Sequence, residues 1–519
     1  MKIGRNAKTV MKARYLDIEA GANIVLLNEA DANALGYMVS DRVKLTRENK
    51  SEIAIVDTSS SMVKKGEIGL FAGIAKKLGA KTGEEILIEL SIPPHSVEYI
   101  KRKMAGGTLN KQEIDTIISE MMEGKLSDIE LAAFVTSVYI RGLSDDEIAA
   151  LTTSIVCSGG VLDLGKHPVA DKHCIGGVAG NRTTMLIVPI VAAAGIYIPK
   201  TSSRSITSAS GTADTMEVLA DVNFSLEEMR EIVLKTNGCI VWGGAMNLAA
   251  ADDKLIRIRY PLRLDPRGLL LASILAKKKS VNAEYVVMDV PVGKGTKIEL
   301  VSDANALARD FIEIGKKLGM KVDVFITDGT DPVGRGIGPA LECIDVLNAL
   351  QGNGPHDLVE KSCQLAGALL EMCGKVEAGK GRNVAFEILK SGKALKKMQE
   401  IIEAQGGDPK IKPEDIPIGK YRYVVESETS DRIRHVDNIA ISRIARAAGA
   451  PKEKGAGIKL HCEQGDRVEK GDKLFEIFAE SEVRLDAALK VLEETRVIEF
   501  QRVVLGKVGS TYTFEEFYD

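Results

Sequence analysis

The chain has 519 residues, 45% of them hydrophobic, which is enough for several domains that each bury a core of their own. Its 69 basic and 73 acidic residues leave a formal net charge of -4, which gives no electrostatic reason to bind nucleic acid or an anionic membrane surface. Seven scattered cysteines fit neither a disulfide framework nor a zinc site, and no apolar run approaches the roughly 20 residues that span a bilayer. We therefore expect a protein of the reducing cytoplasm.

A repeated pattern begins the chain. Ala34–Gly36, which reads as the end of a short helix, precedes the strand-like segment Asp41–Leu45, and Lys77–Gly79 precedes Glu84–Ile88 in the same way. The repeat predicts a small pseudo-symmetric β-barrel, of the double-psi type, over residues 1–85. Two chance turns at Leu-Gly pairs are the alternative interpretation.

Helices, and then strands that alternate with helices, are predicted next. Three helical stretches between Val97 and Gly159, separated by glycines, predict a helical domain over residues 86–168 that a segment near 250–280 completes. From residue 169 to 404, strand-like apolar runs alternate with helices, which is typical of an α/β domain with a largely parallel sheet. These runs are MLIVPIVAAAG (185–195), AEYVVMDV (283–290) and KVDVFITD (321–328).

The last part of the chain, residues 405–519, is predicted to be an α+β domain. It begins with a linker rich in proline, glycine and charge, Gln405–Pro417. Two Gly-Asp pairs within Gly455–Ala479 then mark β-turns, so we expect a β region similar to a barrel-sandwich hairpin. The lysine motif that carries a biotinyl or lipoyl group is not in this segment, which favours a scaffold without a cofactor. The predicted fold is therefore a multidomain α/β protein.

The densest chemical motif is DKHCIGG, Asp171–Gly177, which follows a strand and precedes a helix that starts near Asn181. A lysine, an imidazole, two glycines and a helix N-terminus suit an anion, because free backbone N–H groups and the helix dipole face the loop. The motif therefore predicts a phosphate site. A tight strand-to-helix turn with an incidental Lys-His pair fits the same residues.

A second motif, Thr201–Asp214, is rich in serine and threonine and contains Arg204. Short hydroxyl side chains and one guanidinium can give a phosphate group several donors without bulk. It predicts a second anion site, or another wall of the first, with a flexible serine-rich loop as the alternative. Further along, Ser273 and Lys277 lie four residues apart, so one helix face presents a hydroxyl and a cation, or is simply a solvated face.

Taken in order, these segments resemble the signature regions of the thymidine and pyrimidine-nucleoside phosphorylases. The resemblance covers roughly residues 95–510 and is carried by SGGVLDLG, DKHCIGGVAGNRTT, SSRSITSASGTAD, ADDKLIRIRYPL, LDP and ASILAKK. The additional N-terminal domain, and the serine-rich loop in place of a glycine-rich one, are similar to the family members that cleave nucleoside 5′-monophosphates. A hydroxyl-rich loop with an arginine suits the additional 5′-phosphate.

The resemblance implies phosphorolysis of AMP, and of CMP and UMP, by inorganic phosphate to ribose 1,5-bisphosphate and free base. Phosphate itself attacks the sugar, so we expect no covalent nucleophile, no metal and no cofactor. A homodimer or larger homo-oligomer is also implied. Three alternatives stay open: a phosphorylase of unphosphorylated nucleosides, a phosphoribosyltransferase that uses a magnesium-bound pyrophosphate, and a non-catalytic sugar-phosphate-binding module.

The same resemblance implies roles for individual residues. Asp265 is the proton donor, and we expect burial beside Leu264 and Pro266 to favour its protonated form. The residues implied to hold or polarise the base are His173, Arg259 and Lys277. Those implied to contact the nucleotide are Gly177, Ser203, Arg204, Ser205, Ile206, Thr207, Ser208, Thr212, Ser273 and Lys297. Those implied to bind inorganic phosphate are Lys172, Cys174, Thr184 and Ser202. The family commonly has serine at position 174, and a thiol is the poorer donor.

One further segment is rich in glycine. The segment GRGIG, Gly334–Gly338, has the glycine spacing of a dinucleotide-binding turn. It follows Asp331 and Pro332 rather than a strand, so the strand-turn-helix context that such a turn requires is incomplete. We interpret the segment as a loop.

Overall fold

The structure, a computed structural model, describes residues 8–19, 23–91, 93–205, 208–246 and 248–501, and the backbone of 506–508 and 514–516. It divides into two compact units. The first consists of Met1–Gly159 and Ala249–Ala276, and the second of Gly160–Leu248 and Lys277–Asp519. Within the described ranges, no helix is both long enough and apolar enough to cross a membrane.

Six strands of the first unit close into a β-barrel. Its elements are β1 (Thr9–Leu16), β2 (Ile24–Asn28), α1 (Glu29–Leu35), β3 (Arg42–Arg47), β4 (Lys50–Ser59), β5 (Glu67–Phe71), α2 (Ala72–Leu78) and β6 (Glu85–Leu90). The strand order is β1-β5-β2-β4-β3-β6, and the pairs β1–β5 and β2–β4 are parallel. Gly36 and Gly79 end the two helices in the left-handed conformation, which glycine adopts readily. The helix-glycine-strand pattern is therefore present twice, as the sequence predicts.

Four helices follow the barrel within the first unit. They are α3 (His95–Met104), α4 (Lys111–Met122), α5 (Asp128–Arg141) and α6 (Asp145–Cys157). Asn110, Ser127 and Ser144 begin the last three of them with capping boxes, in which the cap side chain accepts an N–H and a glutamate returns a bond. The sequence predicted three helical stretches here, and the structure has four helices. The glycine breaks divide this region into four segments, and the first helix is short, with only 10 residues.

Parallel strands form the centre of the second unit. The elements from here to the end of the sheet are β7 (Ala170–Cys174), α7 (Thr184–Ala193), β8 (Ile198–Ser202), α8 (Thr212–Met216), α9 (Leu226–Thr236), β9 (Gly238–Trp242), α10 (Ala250–Leu262), α11 (Arg267–Lys279), β10 (Tyr285–Val292), α12 (Val301–Lys317) and β11 (Lys321–Asp328). The sheets β11-β10-β7 and β8-β9 are parallel throughout. The strand predictions for residues 283–290 and 321–328 are confirmed by β10 and β11. Of the helices, α10 and most of α11 belong to the first unit.

One predicted strand is a helix. The run MLIVPIVAAAG lies in α7, whose side chains from Met185 to Val191 are all fully buried. A helix that is buried on every side has no polar face, so its apolar run carries no 3.6-residue period. The strand prediction was wrong for this reason.

The remainder of the second unit is helical and then rich in β-structure. Its elements are β12 (Gly336–Ile337), α13 (Pro339–Leu350), α14 (His356–Met372), α15 (Gly381–Lys390), α16 (Lys393–Ala404), β13 (Tyr421–Glu426), β14 (Asp431–Val436), α17 (Asn438–Ala447), β15 (Gly457–Leu460), β16 (Arg467–Val468), β17 (Lys473–Ala479), α18 (Glu482–Glu493), β18 (Ile498–Phe500), β19 (Gly506–Val508) and β20 (Phe514–Glu516). The sheets are β12-β15-β17-β13 and β16-β14-β18. Gly465 and Gly471, from the two Gly-Asp pairs, have φ of 92° and 93° and form the expected turns. The GRGIG segment, interpreted as a loop, contributes the short strand β12.

The predicted linker begins with a fixed residue. Gln405 is 1% exposed, and its side-chain amide donates to the carbonyl oxygens of Asp221 (2.7 Å) and Ile240 (3.0 Å). Its side-chain oxygen accepts from the Ile240 N–H at 2.9 Å. Since one amide side chain satisfies several backbone groups, the start of this segment is bound to the edge of β9.

Candidate active site

Two parallel strands place the DKHCIGG motif. In the register of β7 and β10, Cys174 lies opposite Asp289, so both side chains are at the carboxyl end of the sheet, where α/β proteins bind ligands. After β7, Gly176 and Gly177 have φ of 88° and 98°, a conformation that favours glycine. A Cβ at position 177 would lie 2.9 Å from the backbone nitrogen of Lys297, so these two predicted contact residues are neighbours.

Lys172 lies in a buried polar cluster at this edge. Its Nζ donates to Thr183 Oγ1 at 2.9 Å and lies 3.5 Å from Oδ2 of Asp289. The side-chain amide of Asn181 donates to the same Asp289 oxygen at 3.4 Å and to Sγ of Cys174 at 3.5 Å. Residues 172, 174, 181, 183 and 289 therefore form one connected polar group that includes the Lys172 ammonium.

The ionisation of this cluster follows from its surroundings. Burial alone would raise the pKa of Asp289. The charges of Lys172 and Lys361 and a hydrogen bond from Thr327 have the larger effect together, and they lower the pKa to about 2. The carboxylate is therefore charged at neutral pH. Burial, with the field of Asp289, raises the pKa of the Cys174 thiol, so this side chain is a neutral and weak donor.

His173 is a neutral imidazole in this structure. Desolvation, and then the charges of Lys278, Lys200, Lys277 and Lys172, lower its pKa well below the usual value. At neutral pH it can donate from one ring nitrogen and accept at the other, which suits contact with a heterocyclic base. Lys277 is one of the cations that act on His173. The roles of both residues at the base remain what the resemblance implies.

The other predicted phosphate contacts lie at the ends of neighbouring elements. Thr184 is the first residue of α7 and is 6% exposed. Ser202 ends β8, and its hydroxyl donates to the carbonyl oxygen of Val241 at 3.1 Å. Both belong to the second unit, together with Lys172 and Cys174.

The serine-rich loop is braced by acidic residues. Arg204 donates to both carboxylate oxygens of Glu217, at 2.7 and 2.6 Å, and its Cζ lies 5.0 Å from the centre of the Trp242 ring. Hydrogen bonds from Arg204, with Lys454 2.7 Å away, lower the pKa of Glu217 to about 2. The arginine that the sequence assigned to a phosphate group is therefore paired with a carboxylate.

Backbone groups hold the rest of the loop. Asp214 accepts from the N–H groups of Ser205 (2.7 Å) and Gly211 (2.9 Å), and the hydroxyl of Ser208 donates to the carbonyl oxygen of Ser210. Ser203 is exposed, and Thr212 begins the short helix α8. Two other predicted nucleotide contacts, Ile206 and Thr207, lie outside the described residues.

Three predicted site residues belong to the first unit. Asp265 lies in the turn between α10 and α11, and its Oδ1 is 2.9 Å from Nη1 of Arg259. Its side chain is 59% exposed, so the expected burial is wrong: a carboxylate in a turn, paired with an arginine, faces water. Ser273 on α11 is buried, and its hydroxyl donates to Oδ2 of Asp252 at 2.7 Å.

Several residues of the site were missed by the sequence analysis. They are Asn181, Thr183, Glu217, Trp242, Asp252, Asp289 and Lys361. Asp289 had a usable signal, because a single acid inside the apolar run VVMDV is a buried charge and needs a partner. Lys361 had none, since its helix is far along the chain and its neighbours are not a recognisable motif.

Comparison with known proteins identifies the family. Residues 97–159 match the helical bundle domain of the glycosyl transferase family, 166–395 its a/b domain, and 432–499 the pyrimidine nucleoside phosphorylase C-terminal domain. The AMP phosphorylases of Thermococcus kodakarensis and Pyrococcus abyssi are 50% and 52% identical over 500 residues, 96% of this chain and 99% of each relative. This chain belongs to the AMP phosphorylase family.

The similarity to AMP phosphorylases also includes a protein of lower identity from another genus. The AMP phosphorylase of Methanosarcina mazei is 46% identical over 506 residues, which is 97% of this chain and 99% of that protein. Among solved structures, anthranilate phosphoribosyltransferase from Thermus thermophilus has a TM-score of 0.52 at 20% identity, covering 59% of this chain and 98% of that one. At that identity, the likeness is one of fold.

Proposed function

We propose that this chain cleaves AMP with inorganic phosphate, releasing adenine and ribose 1,5-bisphosphate, and that it accepts CMP and UMP as well. The observation that carries the proposal is the identity of about half of all residues, over nearly the whole length, to proteins named AMP phosphorylase. The enzyme is a pentosyltransferase. A phosphorylase of unphosphorylated nucleosides is not favoured, because the relatives named AMP phosphorylase match 96% of this chain and 99% of their own length.

The proposed reaction moves one bond at C1′ of the ribose. Inorganic phosphate, held by Lys172, Cys174, Thr184 and Ser202, attacks C1′ as the bond to the base breaks. The leaving electron pair goes to the base nitrogen, which takes a proton from Asp265. Positive charge on the sugar and negative charge on the base develop together, so fixed cations near the base stabilise the transition state. The residues proposed for the base are His173, Arg259 and Lys277.

The 5′-phosphate is proposed to bind at the serine-rich loop. The hydroxyls of Ser203, Ser205 and Thr212 are donors there, together with the backbone near Ser208, and the Arg204 guanidinium lies at the same loop beside Trp242. Trp242 is the single tryptophan of the chain, so its emission reports on this loop alone. AMP should change that emission at saturation and adenosine should change it less. An equal response to both ligands would contradict binding of the 5′-phosphate at this loop.

The decisive experiment is a phosphate-dependent assay with AMP, CMP, UMP, GMP and IMP, and with adenosine and thymidine as unphosphorylated controls. We expect ribose 1,5-bisphosphate and free base from AMP, only when phosphate is present, and with activity that survives a metal chelator. Higher turnover of adenosine or thymidine than of AMP would overturn the proposal. Loss of activity with the chelator would point instead to a magnesium-dependent transferase.

We also propose the finer architecture and assembly. The barrel is of the double-psi type and occupies residues 1–85; the helical domain is 86–168 with the segment near 250–280, the α/β domain 169–404, and the C-terminal domain, with a barrel-sandwich-like β region, 405–519. The enzyme acts in the cytoplasm, in keeping with its seven free thiols. It forms a homodimer or larger assembly, which is supported by the exposed Ile129, Tyr139 and Ile140 on α5. Sedimentation at several concentrations tests the assembly.

A further inference from the structure

One lysine of the phosphate region lies outside every motif of the sequence. Lys361 is on α14, and its Nζ is 3.4 Å from Oδ1 of Asp289. The nitrogen is buried and has no hydrogen-bond partner among the residues that the structure describes. Burying an ammonium group is costly unless its charge balances another charge. The negative charge of Asp289 is therefore what allows the Lys361 ammonium group to be buried here.

Asp289 lies between two lysines. Its Oδ2 is 3.5 Å from Nζ of Lys172, and its Oδ1 is the atom that faces Lys361. The side chain of Asp289 is fully buried, and Thr327 donates to Oδ1 at 2.7 Å. Two ammonium groups and one carboxylate leave a single net positive charge in this part of the core. Both lysines also act on the neighbouring thiol of Cys174.

This charge balance decides how strongly an anion can bind. Without Lys361, the ammonium of Lys172 and the carboxylate of Asp289 would form a neutral buried pair, and an incoming phosphate would also be repelled by the carboxylate. With Lys361 in place, the carboxylate has a counter-ion of its own. The charge of Lys172 then remains for a ligand at the end of β7.

We infer that Lys361 is a positioning residue of the inorganic phosphate site: it balances Asp289 and thereby keeps Lys172 free to bind phosphate. The inference rests on the proposed function, in which Lys172 binds inorganic phosphate. Lys361 acts through Asp289 and does not itself touch the substrate. The AMP site, on the serine-rich loop, should not depend on it.

Steady-state kinetics of three proteins test the inference: the wild type, Lys361→Met, and the double variant Lys361→Met/Asp289→Asn. Phosphate is varied at saturating AMP, and AMP at saturating phosphate. Lys361→Met should raise the KM for phosphate by about tenfold or more and leave the KM for AMP within about twofold. In the double variant, the carboxylate is gone and Lys172 is unopposed, so the KM for phosphate should return to within about threefold of the wild type.

Two matched substitutions serve as controls. Lys361→Arg keeps the charge and should preserve the KM for phosphate. Lys375→Met removes an exposed lysine just beyond the same helix, and all kinetic constants should stay as in the wild type. A readout without turnover is the rise in melting temperature on adding inorganic phosphate, which should be smaller for Lys361→Met and recovered in the double variant. If Lys361→Met does not fold, Lys361→Gln takes its place.

Each contrary result has a distinct meaning. An unchanged KM for phosphate in Lys361→Met overturns the inference. A KM that stays high in the double variant also overturns it, because Lys361 would then act on phosphate directly. Equal rises in the KM values for phosphate and AMP, or lowered thermal stability alone, would assign Lys361 a purely structural role. If the wild type does not cleave AMP in a phosphate-dependent way, the proposed function fails; the inference is then decided by the rise in melting temperature with inorganic phosphate, and an equal rise in the wild type and Lys361→Met overturns it.

Discussion

Asp265, in the first unit, and Asp289, in the second, are carboxylates whose surroundings differ in burial and in charge. Asp289 is buried among lysines, and its pKa is lowered to about 2, so it holds no proton to donate at neutral pH. Asp265 is 59% exposed and has an ion pair with Arg259. Asp289 is therefore suited to fixing a cation, and the role of proton donor proposed for Asp265 needs a direct test.

Asp265→Asn tests this division of roles. The amide keeps the size of the side chain and its contact with Arg259 but has no acidic proton to give. We expect kcat to fall by about 100-fold or more, while the affinity for AMP measured by titration calorimetry stays within about threefold. Asp486→Asn, at an exposed carboxylate on α18, is the matched control. Near-normal turnover of Asp265→Asn would contradict its role as the proton donor.

Asp345 on α13 makes a contribution to the free energy of unfolding that depends on pH. Its Oδ2 accepts the N–H groups of Arg335 and Gly336, both at 2.6 Å. Burial outweighs these bonds and raises the pKa of Asp345 to about 6, above the ordinary value of 3.8. The folded state therefore binds this proton more tightly than the unfolded state, so the stabilisation is full below about pH 4 and is lost as the pH rises through 6.

Asp345→Asn should reveal this contribution, because the amide is neutral at every pH. Between pH 4 and pH 7, the wild type should lose stability that the variant keeps. The difference in melting temperature, variant minus wild type, should therefore rise over this range, and it corresponds to at most about 3 kcal/mol in the free energy of unfolding. Other groups titrate alike in both proteins, so the difference isolates position 345. Thermal unfolding monitored by circular dichroism at one-unit pH steps measures it. A difference that is constant over this range would disprove the assignment.

At the scale of elements, one buried glutamate joins two helices of the first unit. Glu147, in the first turn of α6, accepts from Nζ of Lys103 on α3 at 2.7 Å and from the N–H of Leu109 at 2.9 Å. Its other oxygen accepts the N–H of Ser144 and completes the capping box. The side chain of Lys103 is 4% exposed, so the loss of its partner would leave a buried charge unpaired.

Glu147→Gln should therefore be strongly destabilising. We expect the free energy of unfolding to fall by about 3–5 kcal/mol, as measured by urea denaturation. Glu98→Gln is the matched control, because Glu98 and Lys101 form an exposed pair on α3 and its loss should cost less than about 0.5 kcal/mol. If the two substitutions had similar effects, burial would not be what makes the Lys103 pair important.

At the scale of the whole molecule, the barrel has a hydrophobic core of its own. Val43, Leu45, Ile86 and Ile88 are all fully buried in it, on alternate positions of β3 and β6. Closure of the six strands also leaves no unpaired sheet edge within the barrel, so it does not need another part of the chain to cover one.

Residues 1–91, expressed alone, should therefore fold. We expect a β-type circular dichroism spectrum and one cooperative thermal transition. The contrasting fragment is residues 97–159, which lacks α10. In the full chain, Lys254 on α10 donates to the carbonyl oxygen of Met121 at 3.0 Å, so the fragment loses this contact and should be less stable than the barrel. A barrel fragment without a cooperative transition would show that its core needs the rest of the unit.

The sequence predicted the local features because their causes are local. The glycines that end helices and the Gly-Asp turns act on the few residues beside them, and the short apolar run at residues 283–290 has the length of the strand Tyr285–Val292 that it largely forms. It failed for α7, where an uninterrupted apolar run has no period that would distinguish a buried helix from a strand. It also failed for the exposure of Asp265, since burial depends on what packs against a turn and not on the two residues that flank it.

The sequence by itself determined the class of fold and the family motifs, among them the one that contains Lys172 in β7. Only the tertiary structure decided which charges meet there. Asp289 reaches Lys172 through the register of β10 beside β7, and Lys361 reaches Asp289 through the packing of α14. No short-range pattern links residues so far apart in the chain, because strand pairing and helix packing bring them together.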